Sequence, residues 1–270
     1  MKRLKLTKEK IQEWIEDYKD SIKFFESRGS RGDHFDFEHL ARLHMLLGEF
    51  KKAREYFEES DKSWEDYLKR NEKYVKERWN LWDHINCYRN RMLIKFLAYG
   101  YWEARDYVRS NIDDIERICE KCCRAIEEDI RDKQRRSDQI AYEKRILLPA
   151  YLILKDEKAL KVVEEIYSRF EKSKRKTYKK GSGYPTALYA KLNADVVKGI
   201  VEKNKDLFLK GFRELSDLNE KLIEGNPSDF ADPELIFYLE IARELWPDIK
   251  VESSLIPEKL REKSYFELIR

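Results

Sequence analysis

Apolar positions along this chain fall at intervals of three and four residues, most plainly between Phe35 and Phe57, FDFEHLARLHMLLGEFKKAREYF. Phe37, Leu40, Ala41, His44 and Leu47 make one stripe, and Phe50, Ala53, Phe57 and Ser60 make the next. That interval is the period of an α-helix, and a glycine between two such runs marks a stop and a restart. Gly48 therefore divides two amphipathic helices. Small residues at Ala41 and Ala53 let the two helices approach closely, while Phe50 and Phe57 fill the seam between them.

The rest of the chain carries the same pattern. Thr7 is placed to cap a first helix through about Ser27, with Ile11, Trp14, Ile15, Tyr18, Ile22 and Phe25 as its apolar stripe. The glycines and serines of 27–32 form a loop. After the hairpin, whose second helix runs past Tyr67, one long helix is expected from about Glu72 to Tyr99. GYWEARDYV then echoes GEFKKAREYF one residue short, which suggests hairpins of irregular length. Ser110 with Asp113 reads as a helix start for a run through about Arg131, and the pattern leaves open whether 102–109 is continuous with it. A pair at 138–154 and 157–170 follows, with Asp156 capping the second member, and then the loop 172–183. Pro185 opens a helix to about Val201, and Asn204 opens its partner, with Gly225 as the stop. Asp232-Pro233 starts a last long helix ending near Trp246-Pro247, and an extended tail closes with a short turn begun by Pro257. About ten or eleven helices and no strand predict an all-α, superhelical array of antiparallel helix hairpins in one domain over 1–270, with a weak division near 172–183.

Charge refines this picture without naming an activity. The 270 residues hold 56 Lys+Arg against 53 Asp+Glu, so a net charge of +3 is the remainder of two nearly cancelling totals. Interspersed signs at 40% charged residues point to solvated, ion-paired helix faces and not to a uniformly basic nucleic-acid binder. Only 9 Gly and 6 Pro argue against a turn-rich β fold. The Lys/Glu/Arg enrichment resembles a thermophile's surface. No apolar run approaches the roughly 18 residues of a membrane span, and the basic N-terminus is followed by no signal core, so a cytoplasmic protein is expected.

The organising stretch resembles a tetratricopeptide-type helical hairpin, with His44 where an aromatic is usual. Recurrence at about 50 residues, longer than that repeat's ~34, makes the array divergent. The C-terminal third, IVEKNKDLFLKGFRELSDLNEKL and PELIFYLEIARELWPDIKVESSLIPEKL, resembles the end of the immunity protein 49 family. Asp206, Phe208, Leu239, Ala242, Glu252, Ser253, Ile256, Pro257 and Leu260 carry that likeness, and Trp246-Pro247 stands where the family usually has glycine. The resemblance implies a protein that neutralises a toxin by binding it, and it carries over no functional residue.

Candidate chemistry is sparse. Cys119 and Cys122 form a C-x-x-C, the spacing of zinc and redox sites, but they share a helical stripe with Ile112, Ile115 and Ile126. No second ligand pair exists, so the core reading leads, and a bond from Cys87 is its alternative. His34, His39 and His44 are five apart, not the four of a helical metal site, and no nucleotide-binding or hydrolase motif occurs. Two features stand out. Lys172, Lys174, Arg175, Lys176, Lys179 and Lys180 surround Tyr178 in a loop without acids, which suits phosphate binding but also a merely solvated loop. Trp79, His84, Arg89 and Arg91 crowd one helix with the residue types of protein-binding hot spots, although part of that face is core. The expected function is a non-catalytic protein-interaction module that needs no cofactor or metal and acts by occluding another protein, a toxin if the resemblance holds. A nucleic-acid-binding helical repeat using the basic loop is the alternative.

Overall fold

The computed structural model describes residues 7–29, 33–78, 80–173, 185–222 and 231–270, and every regular element among them is a helix. Helix α1 (Lys8–Glu26) begins where Thr7 Oγ1 accepts from the Lys10 N–H at 3.3 Å. The central hairpin is α2 (His34–Leu46) and α3 (Phe50–Arg70), turning at Gly48 with φ of 75°. Only glycine occupies that left-handed region at little cost. His44, in the place of the usual aromatic, is 1% exposed and stacks on Tyr56 with ring centroids 5.1 Å apart.

The run expected as one helix from Glu72 to Tyr99 is two, α4 (Glu72–Arg78) and α5 (Leu81–Tyr99). Asn80 and Asp83 explain the break: each backbone N–H donates to the other's side chain at 3.1 Å, a reciprocal cap that starts a new helix. The next junction, left open by the sequence, closes in the structure. Helix α6 (Tyr101–Asp129) is continuous, and Ser110 lies exposed within it instead of starting it. Its buried stripe of Ala104, Val108, Ile115, Cys119, Cys122 and Ile126 never loses phase, so packing overrides the local capping signal. The echo between GEFKKAREYF and GYWEARDYV has matching surroundings. Gly48 and Gly100 both have positive φ, and Ala53, Ala104, Phe57 and Val108 are all fully buried.

The expected helix 138–154 also divides, into α7 (Lys133–Lys144) and α8 (Leu147–Leu154). It starts earlier than read because Asp132 accepts from the N–H groups of Gln134 and Arg135, both at 2.9 Å. It breaks at Arg145-Ile146 because Pro149 has no N–H to return to the Arg145 carbonyl, which takes Leu148 N–H at 3.0 Å instead. Helix α9 (Lys158–Glu171) begins beyond Asp156, whose side chain accepts from Lys158 N–H at 2.8 Å. Helices α10 (Thr186–Val201), α11 (Lys205–Leu222) and α12 (Pro233–Leu245) start as predicted at Pro185, Asn204 and Asp232. Two short helices, α13 (Glu258–Glu262) and α14 (Tyr265–Leu268), finish the chain.

One cluster of buried side chains runs from Ala41 to Tyr265, and a smaller one seats α1 on α2 through Ile11, Ile15, Ile22, Phe37, Leu40 and Leu43. The closest consecutive pairs are α2/α3, α5/α6 and α10/α11, while α10 also packs on α7, α8, α9 and α12. Its crossing with α11 depends on glycine. A Cβ at Gly199 would stand 2.5 Å from the Phe208 backbone nitrogen, and one at Gly211 2.9 Å from Asp195 Cβ. No described helix is long and apolar enough to cross a membrane.

Candidate functional site

Helix α5 lies between α3 and α12, and this decides what its arginines do. Two residues apart on a helix means about 200° apart around it, so Arg91 and Arg89 leave on opposite sides. Arg91 reaches Asp61 at 3.3 Å and Glu65 at 3.1 Å on α3, and Lys95 joins Asp61 at 2.6 Å. Arg89 turns inward, where Nη2 meets Glu234 Oε2 at 2.7 Å. Its expected place on a partner-facing surface is corrected accordingly: a carboxylate on a distant helix holds it inside. His84 is half-buried near the start of α5, and Trp79 lies outside the described residues.

Around Arg89 the ends of several helices bring together a buried polar centre. Glu234 Oε2 also accepts from the Tyr189 hydroxyl at 2.9 Å. Tyr238 donates to Asn193 Oδ1 at 3.0 Å, and Asn193 Nδ2 donates to the Tyr189 carbonyl at 2.9 Å. Asp232 caps α12, accepts from Asn219 at 2.8 Å, and sits beside Ala231, whose carbonyl takes Arg42 Nε at 2.9 Å. Burial pushes the Asp232 carboxyl up, and Glu234 beside it adds to that. Burial acts the same way on Glu234, but Arg89 and Arg145 outweigh it and leave its carboxyl below the ordinary range. Arg145 arrives at this centre from the break between α7 and α8, 4% exposed, with its guanidinium carbon 3.9 Å from the Tyr142 ring centroid and 5.0 Å from that of Tyr189. The only signal for it in the sequence is Pro149, which ends α7 at that residue.

The basic loop contributes one described residue, Lys172, exposed at the end of α9. Lys174, Arg175, Lys176, Lys179 and Lys180 lie outside the described residues. All four cysteines are buried and free, so the Cys87 bond does not form. The Cys119 thiol is raised by its hydrogen bond with Cys123 and by burial, and burial takes Cys122 up to about 12. Protonated, enclosed thiols of this kind act as small hydrophobes. Among the described residues no group of His, Cys, Asp and Glu is arranged to hold a metal ion.

The outer surface holds a further feature. Trp102 on α6 is 64% exposed, the Arg105 guanidinium lies 5.4 Å from its ring centroid, and Tyr101 meets it edge-on at 5.3 Å. Lys155 stands over Tyr101 at 5.3 Å and pairs with Glu244 at 3.1 Å, next to Leu245, which is 37% exposed. Glu244 is shared by two clefts. One of about 240 Å³ is lined by Leu152, Ile200, Val201, Ile241 and Leu245, and one of about 420 Å³ by Phe96, Tyr101, Pro247 and Phe266. A phase argument could have found Trp102, because it stands about 200° from Ala104 and so off the buried stripe of α6. No protein-family model matches the chain, and searches of curated proteins and of solved structures find no significant match.

Proposed function

We propose that this chain is a non-catalytic protein-interaction module, a divergent superhelical array of helix hairpins that acts by covering the surface of another protein. The observation that carries this reading is Trp102, a large aromatic turned to solvent beside an arginine and in edge contact with Tyr101, which lines the cleft of about 420 Å³. Trp, Tyr and Arg dominate the binding energy of protein interfaces, and a cleft next to such an anchor accepts a partner's side chain. The α2/α3, α5/α6 and α10/α11 pairs are the hairpins of the proposed array. Resemblance to immunity proteins makes a toxin the proposed partner and occlusion of the toxin the mechanism.

The test is capture from source-organism lysate with the parent protein and with Trp102→Ala, each with nuclease and at low and high salt. One protein held in stoichiometric amount by the parent in every condition, and lost from the variant at unchanged Tm, is the expected result. Equal capture by parent and variant would remove Trp102 from the interface. Material held only at low salt without nuclease would replace this reading with nucleic-acid binding.

A further inference from the structure

We propose that the cleft of about 420 Å³ beside Tyr101 receives an arginine side chain of the partner protein, which rests on the interaction reading above. The end of α5, the start of α6, the last turn of α12 and the short helices α13 and α14 surround this cleft. Phe96, Tyr101, Pro247 and Phe266 give it aromatic and apolar walls, and its volume lies within the ~300–1,000 Å³ of ligand-binding pockets. Aromatic faces attract a cation, and the Lys155 ammonium already stands 5.3 Å from the Tyr101 centroid.

The charges around the cleft leave room for one more cation. Among the described residues four carboxylates line it, Glu240, Glu244, Glu262 and Glu267, against two arginines, Arg243 and Arg270. Two of the carboxylates are matched: Glu240 meets Arg243 Nη1 at 2.6 Å, and Glu244 meets Lys155 at 3.1 Å. Glu262 and Glu267 are exposed and form no ion pair among the described residues, and only Arg270 stands with them on the rim. With every lining charge and Lys155 counted, one negative charge is left over, which a single monovalent cation balances. Helix α12 also ends here, at Leu245, and the C-terminal end of a helix favours positive charge. Arginine suits the cleft better than lysine, because its planar guanidinium stacks on an aromatic face while its edge forks to a carboxylate.

The experiment is an amide NMR titration of the full chain with N-acetyl-arginine amide, run against N-acetyl-citrulline amide, which has the same shape without the charge, at equal ionic strength. The arginine probe should shift the backbone amides of Tyr101, Phe266 and Glu267 saturably, and the citrulline probe should not. The double variant Glu262→Gln/Glu267→Gln should bind the arginine probe about fivefold more weakly or worse. Both side chains are exposed, so its Tm should match that of the parent. The same variant should hold less of the protein that the parent captures from lysate. An absent shift in the parent, equal shifts with both probes, parent-like probe binding by the variant or undiminished capture by it would overturn the arginine site and leave the module standing. No protein held by the parent at all would instead remove the module, and this proposal with it.

Discussion

Replacing Gly199 by alanine sets two effects against each other, and the structure says which wins. Alanine is the better helix former by about 1 kcal/mol, and Gly199 lies inside α10, so propensity alone predicts stabilisation. Against this, the new Cβ would stand 2.5 Å from the Phe208 nitrogen and 2.7 Å from its Cα, roughly 0.9 Å inside ordinary contact. Those are backbone atoms, so no rotamer relieves the clash and α11 itself must move. Phe208, Phe212 and Leu215, all at most 1% exposed, would move with it. Overpacking costs typically 1–3 kcal/mol, and a backbone clash belongs at or beyond the upper end, which leaves a net loss of about 2 kcal/mol. For a chain of this size that lowers Tm by roughly 4–8 °C. Differential scanning calorimetry on parent, Gly199→Ala and Gly211→Ala gives the check. Gly211, whose added Cβ would come no nearer than 2.9 Å to its neighbours, should cost less than Gly199. An alanine at 199 that leaves Tm unchanged or raises it would show that the close α10/α11 approach is not what the glycine provides.

Two further predictions concern pH. Burial, with Arg42 adding to it, holds His39 down to about 4, against 6.5 in the unfolded chain, so its contribution to stability is present above pH 6.5 and lost as pH falls towards 4. Urea midpoints between pH 7 and 4.5 should fall less steeply for His39→Phe than for the parent, and an unaltered slope would contradict the assignment. Glu143 runs the other way: burial raises its carboxyl to about 8 from 4.5, with Arg145 opposing, so its contribution is complete below pH 4.5 and lost as pH rises through 8. Glu143→Gln should therefore unfold at a higher temperature than the parent at pH 8 and at a similar one at pH 4; a variant less stable at pH 8 would refute the reading.

Much of the helical framework is legible locally. Thr7, Asn204 and Asp232-Pro233 start helices where their capping chemistry says, and Gly48 and Gly100 turn the chain where a positive φ is needed. Sequence and structure part where two local signals compete. Ser110 has the chemistry of a cap, but an unbroken apolar stripe keeps α6 intact, while the Asn80/Asp83 box and Pro149 end helices whose periodicity continues past them. For the candidate sites, residue type was a poorer guide than position. Arg89 and Arg91 are alike in sequence, yet one pairs with Glu234 on α12 and the other with Asp61 and Glu65 on α3.

Caps and helical period act within one or two turns, so the all-helical class, most helix starts and the faces those helices bury follow from local sequence. Which groups meet across helices is a tertiary outcome: Arg89 finds a carboxylate and Arg145 does not. Each of those outcomes depends on which helix packs beside which, and residues distant in the chain settle that through the shape of the whole core.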